Sequence, residues 1–182
     1  ICEKLNFGKS NHVFQQSFER ANLSYSAFEL SSKQNKMITI LKKIPGSGIV
    51  YCKSRKRTKD ISDLLKLNGI SSDFYHAGLN NDERNSRQEA WIANKTRIIC
   101  CTNAFGMGID KPDVRTVIHY DVPDALENYY QEAGRAGRDG EKSYAVLLYN
   151  ETELQELRKQ SDIKFPPLAR IRKAYASICT YF

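Results

Sequence analysis

The chain has 182 residues, 41% of them hydrophobic, enough for one domain with a buried core plus terminal appendages. A formal net charge of +7 and an isoelectric point near 9.1 suit a polyanionic partner. No apolar run approaches membrane-spanning length, and the five cysteines form no C-x-x-C pair, so neither a membrane helix nor a zinc site is expected.

In chain order, Asn22 to Leu30 alternates as a strand does. Met37, Ile40, Leu41 and Ile44 mark a helix that ends before Pro45-Gly46-Ser47-Gly48. Gly48 to Cys52 reads as a short buried strand. The apolar spacing of Ile61, Leu64 and Leu65 predicts a helix from about Ser54 to Asn68, closed by Gly69. Ser72 to Tyr75 is the next strand. A helix from about Asn81 to Ala93 follows, with Asn80 as N-cap and Glu83 three residues later. Arg97–Cys101 and Thr116–Tyr120 read as fully buried strands. Pro123-Asp124 with Glu127 starts a helix that runs into Gly134, and Tyr144 to Leu148 is the last strand. Strands alternating with helices imply an α/β domain with a mostly parallel sheet covered on both faces and right-handed crossovers. Ligands of such sheets bind outside the carboxyl ends of the strands, where the functional segments are expected to converge.

Two segments imitate phosphate and metal motifs. Gly8-Lys9-Ser10 looks like the end of a P-loop, but the pattern needs glycine where Glu3 stands. Asp82-Glu83-Arg84-Asn85 looks like a metal-binding acidic box, yet it opens a helix, where its acids suit the helix dipole. Cys52, Cys100 and Cys101 lie in strand-like runs and are read as reduced core residues. Trp91, the one tryptophan, is read as core. The chain is expected to be part of a longer one. It starts at Ile1, and a helical stripe of Leu168, Ile171, Tyr175, Ile178 and Phe182 stops without a cap.

The chemistry concentrates in four segments. Gln131 to Gly140 holds a Gly-Arg-x-Gly-Arg core, whose Arg135 and Arg138 are expected on one helical turn. Such a guanidinium pair suits the γ-phosphate of a nucleotide, and the glycines admit close backbone approach. Gln131 is expected to share that face. Thr102 and Asn103, at a strand end, offer a hydroxyl and an amide to a phosphodiester. Lys53, Arg55, Lys56, Arg57 and Lys59 crowd one helix start, where Ser54 serves as N-cap and the helix N-terminus is itself a phosphate site.

Ile49 to Arg55, Tyr75 to Leu79, Thr102 to Pro112 and Tyr129 to Gly140 occur in that order and resemble motifs IV, V and VI of superfamily 2 helicases. The wording from Ala104 to Arg115, followed by Tyr130-Gln131-Glu132, is similar to the RecQ family of ATP-dependent DNA helicases. The resemblance covers about Ser17 to Tyr149. It implies a RecA-like fold forming the second motor lobe, with ATP and Mg2+ held mostly by a first lobe in the same protein. It implies Arg135 and Arg138 as catalytic arginines acting in trans, Gly108, Asp110 and Gln131 at the nucleotide, and Ser54, Arg55, Thr102 and Asn103 on single-stranded DNA. Without the motif around it, Asp110 is a turn aspartate before Lys111-Pro112. His76 stays open between a half-buried loop histidine and a residue at the lobe interface or DNA.

The resemblance further implies 3′-to-5′ translocation and unwinding of duplex DNA in the nucleoid or nucleus, with no membrane partner. The chain alone, lacking a P-loop and metal carboxylates, is expected to hydrolyse no ATP. Residues 1–16 are expected to end a preceding region, 17–150 to form the RecA-like domain and 151–182 to start a helical region. Two rivals are an RNA helicase lobe, against which the RecQ-like wording argues, and a catalytically silent nucleic-acid-binding module. The intact arginines and Asp110 argue against the second.

Overall fold

The computed structural model describes residues 19–106, 109–164 and 167–179. Gly108, Cys2, Phe182 and the Gly8-Lys9-Ser10 segment lie outside the described residues. Six strands form one sheet: β1 (Leu23–Glu29), β2 (Ser47–Tyr51), β3 (Ser72–Tyr75), β4 (Ile98–Cys101), β5 (Val114–His119) and β6 (Ser143–Tyr149). The spatial order is β1-β6-β5-β2-β4-β3, and every pair is parallel. The central β2 is buried along its whole length because both of its faces are covered, as its unbroken apolar run predicts.

Alternation along the strands builds two cores. Ile49, Tyr51, Ile99, Cys101, Val117 and Ala145 share one face with Trp91, Phe105, Ala133 and Ala136. Val50, Cys100, Ile118, Val146 and Leu148 share the other with Met37, Leu41, Ile61 and Leu65. Helices α1 (Lys33–Lys43) and α2 (Arg55–Leu67) cover the second face, while α3 (Asn81–Ile92) and α4 (Leu126–Ala133) supply Trp91 and Ala133 to the first. Trp91 is core, and its indole N–H donates to Gly48 O at 3.2 Å. Burial raises the thiol pKa values of Cys52, Cys100 and Cys101, so these side chains act as small inert hydrophobes.

Local cap chemistry sets the helix ends. Ser54 Oγ accepts from Arg57 N at 3.2 Å, and Gly69 turns the chain out of α2 at φ +76°. Asn80 and Glu83 form a reciprocal capping box on α3. Helix α4 departs from expectation at both ends. It starts at Leu126 rather than at Pro123-Asp124, with no side-chain cap, and Asp124 pairs with Lys53 at 3.1 Å. It stops at Ala133, so Arg135 and Arg138 lie in an irregular turn, with Gly137 at φ +61°, and not on a helical turn. Beyond β6, α5 (Glu151–Lys164) is capped by Asn150 and held to the domain by the Lys33–Glu153 ion pair. On α6 (Leu168–Cys179), Leu168, Ile171, Tyr175 and Ile178 are exposed.

Candidate nucleotide and nucleic-acid site

Three neighbouring parallel strands, β2, β4 and β3, deliver their carboxyl ends to one edge of the sheet. The chain leaves them at Cys52, Thr102 and His76, so Ser54, Arg55, His76, Thr102 and Asn103 are strung along that edge. Ser54 and Arg55 are exposed at the start of α2, whose first N–H groups carry partial positive charge. Arg55 crosses to the β3–α3 loop and lies on Gly78, where a Cβ would stand 2.9 Å from Arg55 Nη1. Thr102 N donates to Tyr75 O at 3.3 Å, and Thr102 O accepts from Phe105 N at 3.0 Å, which turns the chain and leaves Asn103 exposed. His76 is half-buried against Phe74, with ring centroids 5.6 Å apart.

A cleft of about 110 Å³ beside this edge is lined by Lys53, Asn103, His119, Asp121, Asn128 and Glu132, among others. Its polar groups are largely spoken for. Asp121 accepts from Lys53 N at 2.7 Å and pairs with Arg57, and His119 Nε2 bonds Glu132 Oε2 at 2.9 Å. Desolvation opposes the charge on Arg57, but the Asp121 carboxylate outweighs it and holds the guanidinium pKa above its ordinary value.

Arg135 and Arg138 do not join that edge. The chain leaves β5 at its carboxyl end, and α4 carries it back toward the start of β6, as any connection between neighbouring parallel strands must. The turn at 134–140 therefore meets the amino end of β5, where Gly137 N donates to Val114 O at 2.8 Å and Asp139 N to Pro112 O at 3.3 Å. The expected convergence of all the motifs on the carboxyl edge is corrected by this path.

Arg135 and Arg138 line one hollow with Gly106, Ile109 and Lys111 over Trp91 and Phe105. Arg135 Nη1 donates to Gly106 O at 2.6 Å, while its buried Nε has no hydrogen-bond partner among the described residues. Gly106 sits at φ +125°, and a Cβ there would stand 2.6 Å from Arg135 Nε, so only glycine leaves room for the guanidinium. Arg138 Nη1 meets Asp110 Oδ1 at 2.8 Å, with side-chain exposures of 41% and 77%. Such a pair contributes under about 1 kcal/mol and opens readily. The structure thus unites Arg135, Arg138 and Asp110. Gln131 is exposed on α4, with no hydrogen bond to them among the described residues.

Several site residues carry no signal in the sequence. Lys111 is buried and donates to Ile92 O at 3.1 Å and Asn94 Oδ1 at 2.9 Å, besides pairing with Asp113 at 2.9 Å. That clamp fixes the segment between β4 and β5 that bears Asp110. Arg20 and Asn22, ahead of β1, donate to the carbonyls of the 134–140 turn. Nothing local in the chain announces these bonds, since the partners of Arg20 lie more than a hundred residues away.

Residues 32–140 match the helicase conserved C-terminal domain. The chain belongs to that family. A RecQ-like DNA helicase of Caenorhabditis elegans, blm-1, is 48% identical to this helicase domain over 156 residues, 83% of the chain and 16% of the relative. A protein of Acanthamoeba polyphaga mimivirus that carries an ATP-dependent RNA helicase name is 46% identical over 153 residues, 82% of the chain and 28% of the relative. The chain therefore spans less than a third of the length of these relatives. A DEAD box protein from the hyperthermophile Methanococcus jannaschii has a crystal structure that superposes on this helicase domain with a TM-score of 0.66. That pair shares 29% identity, covering 79% of this chain and 40% of the other.

Proposed function

We propose that this helicase domain is the second motor lobe of an ATP-dependent, RecQ-like DNA helicase, with residues 17–150 as the motor unit. ATP would lie against Arg135, Arg138 and Asp110, and the family resemblance assigns Gln131 and Gly108 to the nucleotide as well. A partner lobe would supply the P-loop and most ligands of the Mg2+, which neutralises phosphate charge when bound. Single-stranded DNA would run along Ser54, Arg55, His76, Thr102 and Asn103. The observation that carries this reading is the separation of two cationic places joined by one segment. Residues 102–106 begin at the proposed nucleic-acid edge and reach the arginine hollow, where Gly106 O accepts from Arg135, so a shift at one place would bear on the other.

The guanidiniums suit a phosphate that lies against them. Among the described residues Arg138 is held only by an exposed carboxylate, which a multiply charged phosphate displaces readily. Arg135 is seated by Gly106 O, and its Nε has no partner among the described residues. When the lobes close, these guanidiniums would offset charge that develops as the terminal phosphoryl group moves, and reopening would shift the DNA by one register. The direction of travel, 3′ to 5′, is proposed from the RecQ-like resemblance alone, as is work in the nucleoid or nucleus. Among the described residues no helix is long and apolar enough to cross a membrane.

The test is steady-state ATP turnover by the full-length protein with saturating single-stranded DNA. Arg135→Ala and Arg138→Ala should each lower kcat by roughly a thousandfold, about 4 kcal/mol, with little rise in KM. Arg138→Lys should not restore the rate, because it keeps the charge and loses the planar fork. Near-normal turnover in both alanine variants would leave these arginines structural. Running the assay with RNA beside DNA decides the nucleic acid, since contacts to phosphates alone distinguish the two poorly.

A further inference from the structure

The turn that carries Arg135 and Arg138 follows the end of α4 at Ala133, with glycines at 134, 137 and 140 and Gly137 in a left-handed conformation. Short bonds close it from within, Arg135 N to Glu132 O at 3.2 Å, Ala136 N to Ala133 O at 3.1 Å and Gly140 N to Gly137 O at 3.1 Å. Side chains from the lead-in of β1 hold it from outside. Arg20 Nη1 donates to Gly134 O at 2.9 Å, and Arg20 Nη2 donates to Gly137 O. Asn22 Nδ2 donates to the same Gly137 O at 2.7 Å and to Glu141 O at 2.9 Å. The carbonyls chosen bracket Arg135 on both sides and Arg138 on both sides. The backbone of Asn22 is held as well, because Asn22 O accepts from Ser143 N at 2.9 Å where β1 and β6 begin their parallel pairing. A Cβ on Gly137 would stand 2.7 Å from Asn22 Nδ2, so the glycine is what admits this approach.

We propose that Arg20 and Asn22 are positioning residues for phosphoryl transfer: a clasp from the lead-in of β1 that sets where the guanidiniums of Arg135 and Arg138 stand. This rests on the role of those arginines proposed above. A cation at the carbonyl-rich end of α4 is electrostatically favoured there, and the fork of Arg20 spans two carbonyls that a point charge cannot hold together. Reactions that depend on a positioned charge lose rate steeply when it drifts by about 1 Å, on the order of a hundredfold. The clasp touches neither the hollow nor the nucleic-acid edge, so it should govern rate and leave binding alone.

The test uses the full-length protein and compares Arg20→Ala, Arg20→Lys, Asn22→Ala and the Arg135→Ala/Arg138→Ala double variant. Arg20→Ala should lower kcat by roughly ten- to a hundredfold, with the KM for ATP and single-strand affinity unchanged. Arg20→Lys should retain an intermediate rate, and Asn22→Ala should show the same pattern more weakly. Amide hydrogen exchange at 134–140 should quicken in Arg20→Ala while exchange in β2 and β4 does not. If Arg20→Ala does not fold, the lysine and Asn22 variants carry the same comparison. Unchanged kcat in the folded variants, or parallel losses of kcat, DNA affinity and melting temperature, would overturn the clasp. A double variant of normal turnover would instead overturn the role of the arginines themselves, and that outcome is visible separately.

Discussion

Gly106→Ala tests the arginine hollow without touching an arginine. The residue sits at φ +125°, where an L side chain is strained, and its new methyl would overlap the Arg135 guanidinium. Gly69→Ala is the matched control, since Gly69 sits at φ +76° with nothing within 4 Å of the added carbon. Both substitutions bear a backbone cost of about 1–2 kcal/mol. In a domain of this size that lowers the melting temperature by about 2–8 °C, at roughly 2–4 °C per kcal/mol. Only Gly106→Ala also displaces a guanidinium from Gly106 O, so only it should lose turnover, by about a hundredfold or more. The assays are thermal melting and DNA-stimulated ATP turnover of the full-length protein, with both variants compared at a temperature where each is folded. Equal turnover in the two variants would refute the claim that Gly106 exists to seat Arg135. A loss in both would show that backbone strain, and not the guanidinium, controls the rate.

The proposed nucleic-acid edge predicts a shallower salt dependence in a Ser54→Ala/Arg55→Ala variant. The slope of log affinity against log salt should fall by roughly 0.7 for each single-strand phosphate that is no longer neutralised, read by fluorescence anisotropy. Asn80→Ala removes half of the α3 capping box and should cost about 1 kcal/mol in denaturant unfolding, with turnover unchanged. Burial alone would raise the Asp113 pKa, but its hydrogen bond to Lys111 and the lysine charge outweigh that and hold it below the ordinary carboxylate value. The stability from this pair is therefore present above the unfolded-state pKa and lost as pH falls through the lower folded value. In Asp113→Asn that part of the acid dependence should vanish; an identical acid-melting profile in variant and wild type would count against it.

Much of the fold was legible because its determinants are local. The run Gly48-Ile49-Val50-Tyr51-Cys52 has no polar alternation, so it needs cover on both faces wherever it sits. Ser54, Asn80 with Glu83, and Gly69 declare helix ends through bonds that span a few residues, and the structure honours each of them. The order of the four motif segments resembles superfamily 2 helicases, and the match of residues 32–140 to the helicase conserved C-terminal domain agrees with it.

Tertiary structure decided where those segments meet. Asp124 reads as a helix start, but in the fold it pairs with the distant Lys53 and α4 begins at Leu126. Arg135 and Arg138 sit at the opposite end of β5 from Thr102 because β5 and β6 are parallel neighbours, so α4 must carry the chain back along the sheet. No spacing within Gln131–Gly140 encodes that journey. Lys111 has no local signal in the chain and is buried against Asn94 and Asp113. Arg20 and Asn22 precede the first strand without any motif, and they acquire a role only when β1 pairs with β6 beside the turn. Bonds that close within a helical turn can be read from the chain. Bonds that join residues more than a hundred positions apart depend on strand order and on which strands pair, and these exist only in the folded protein.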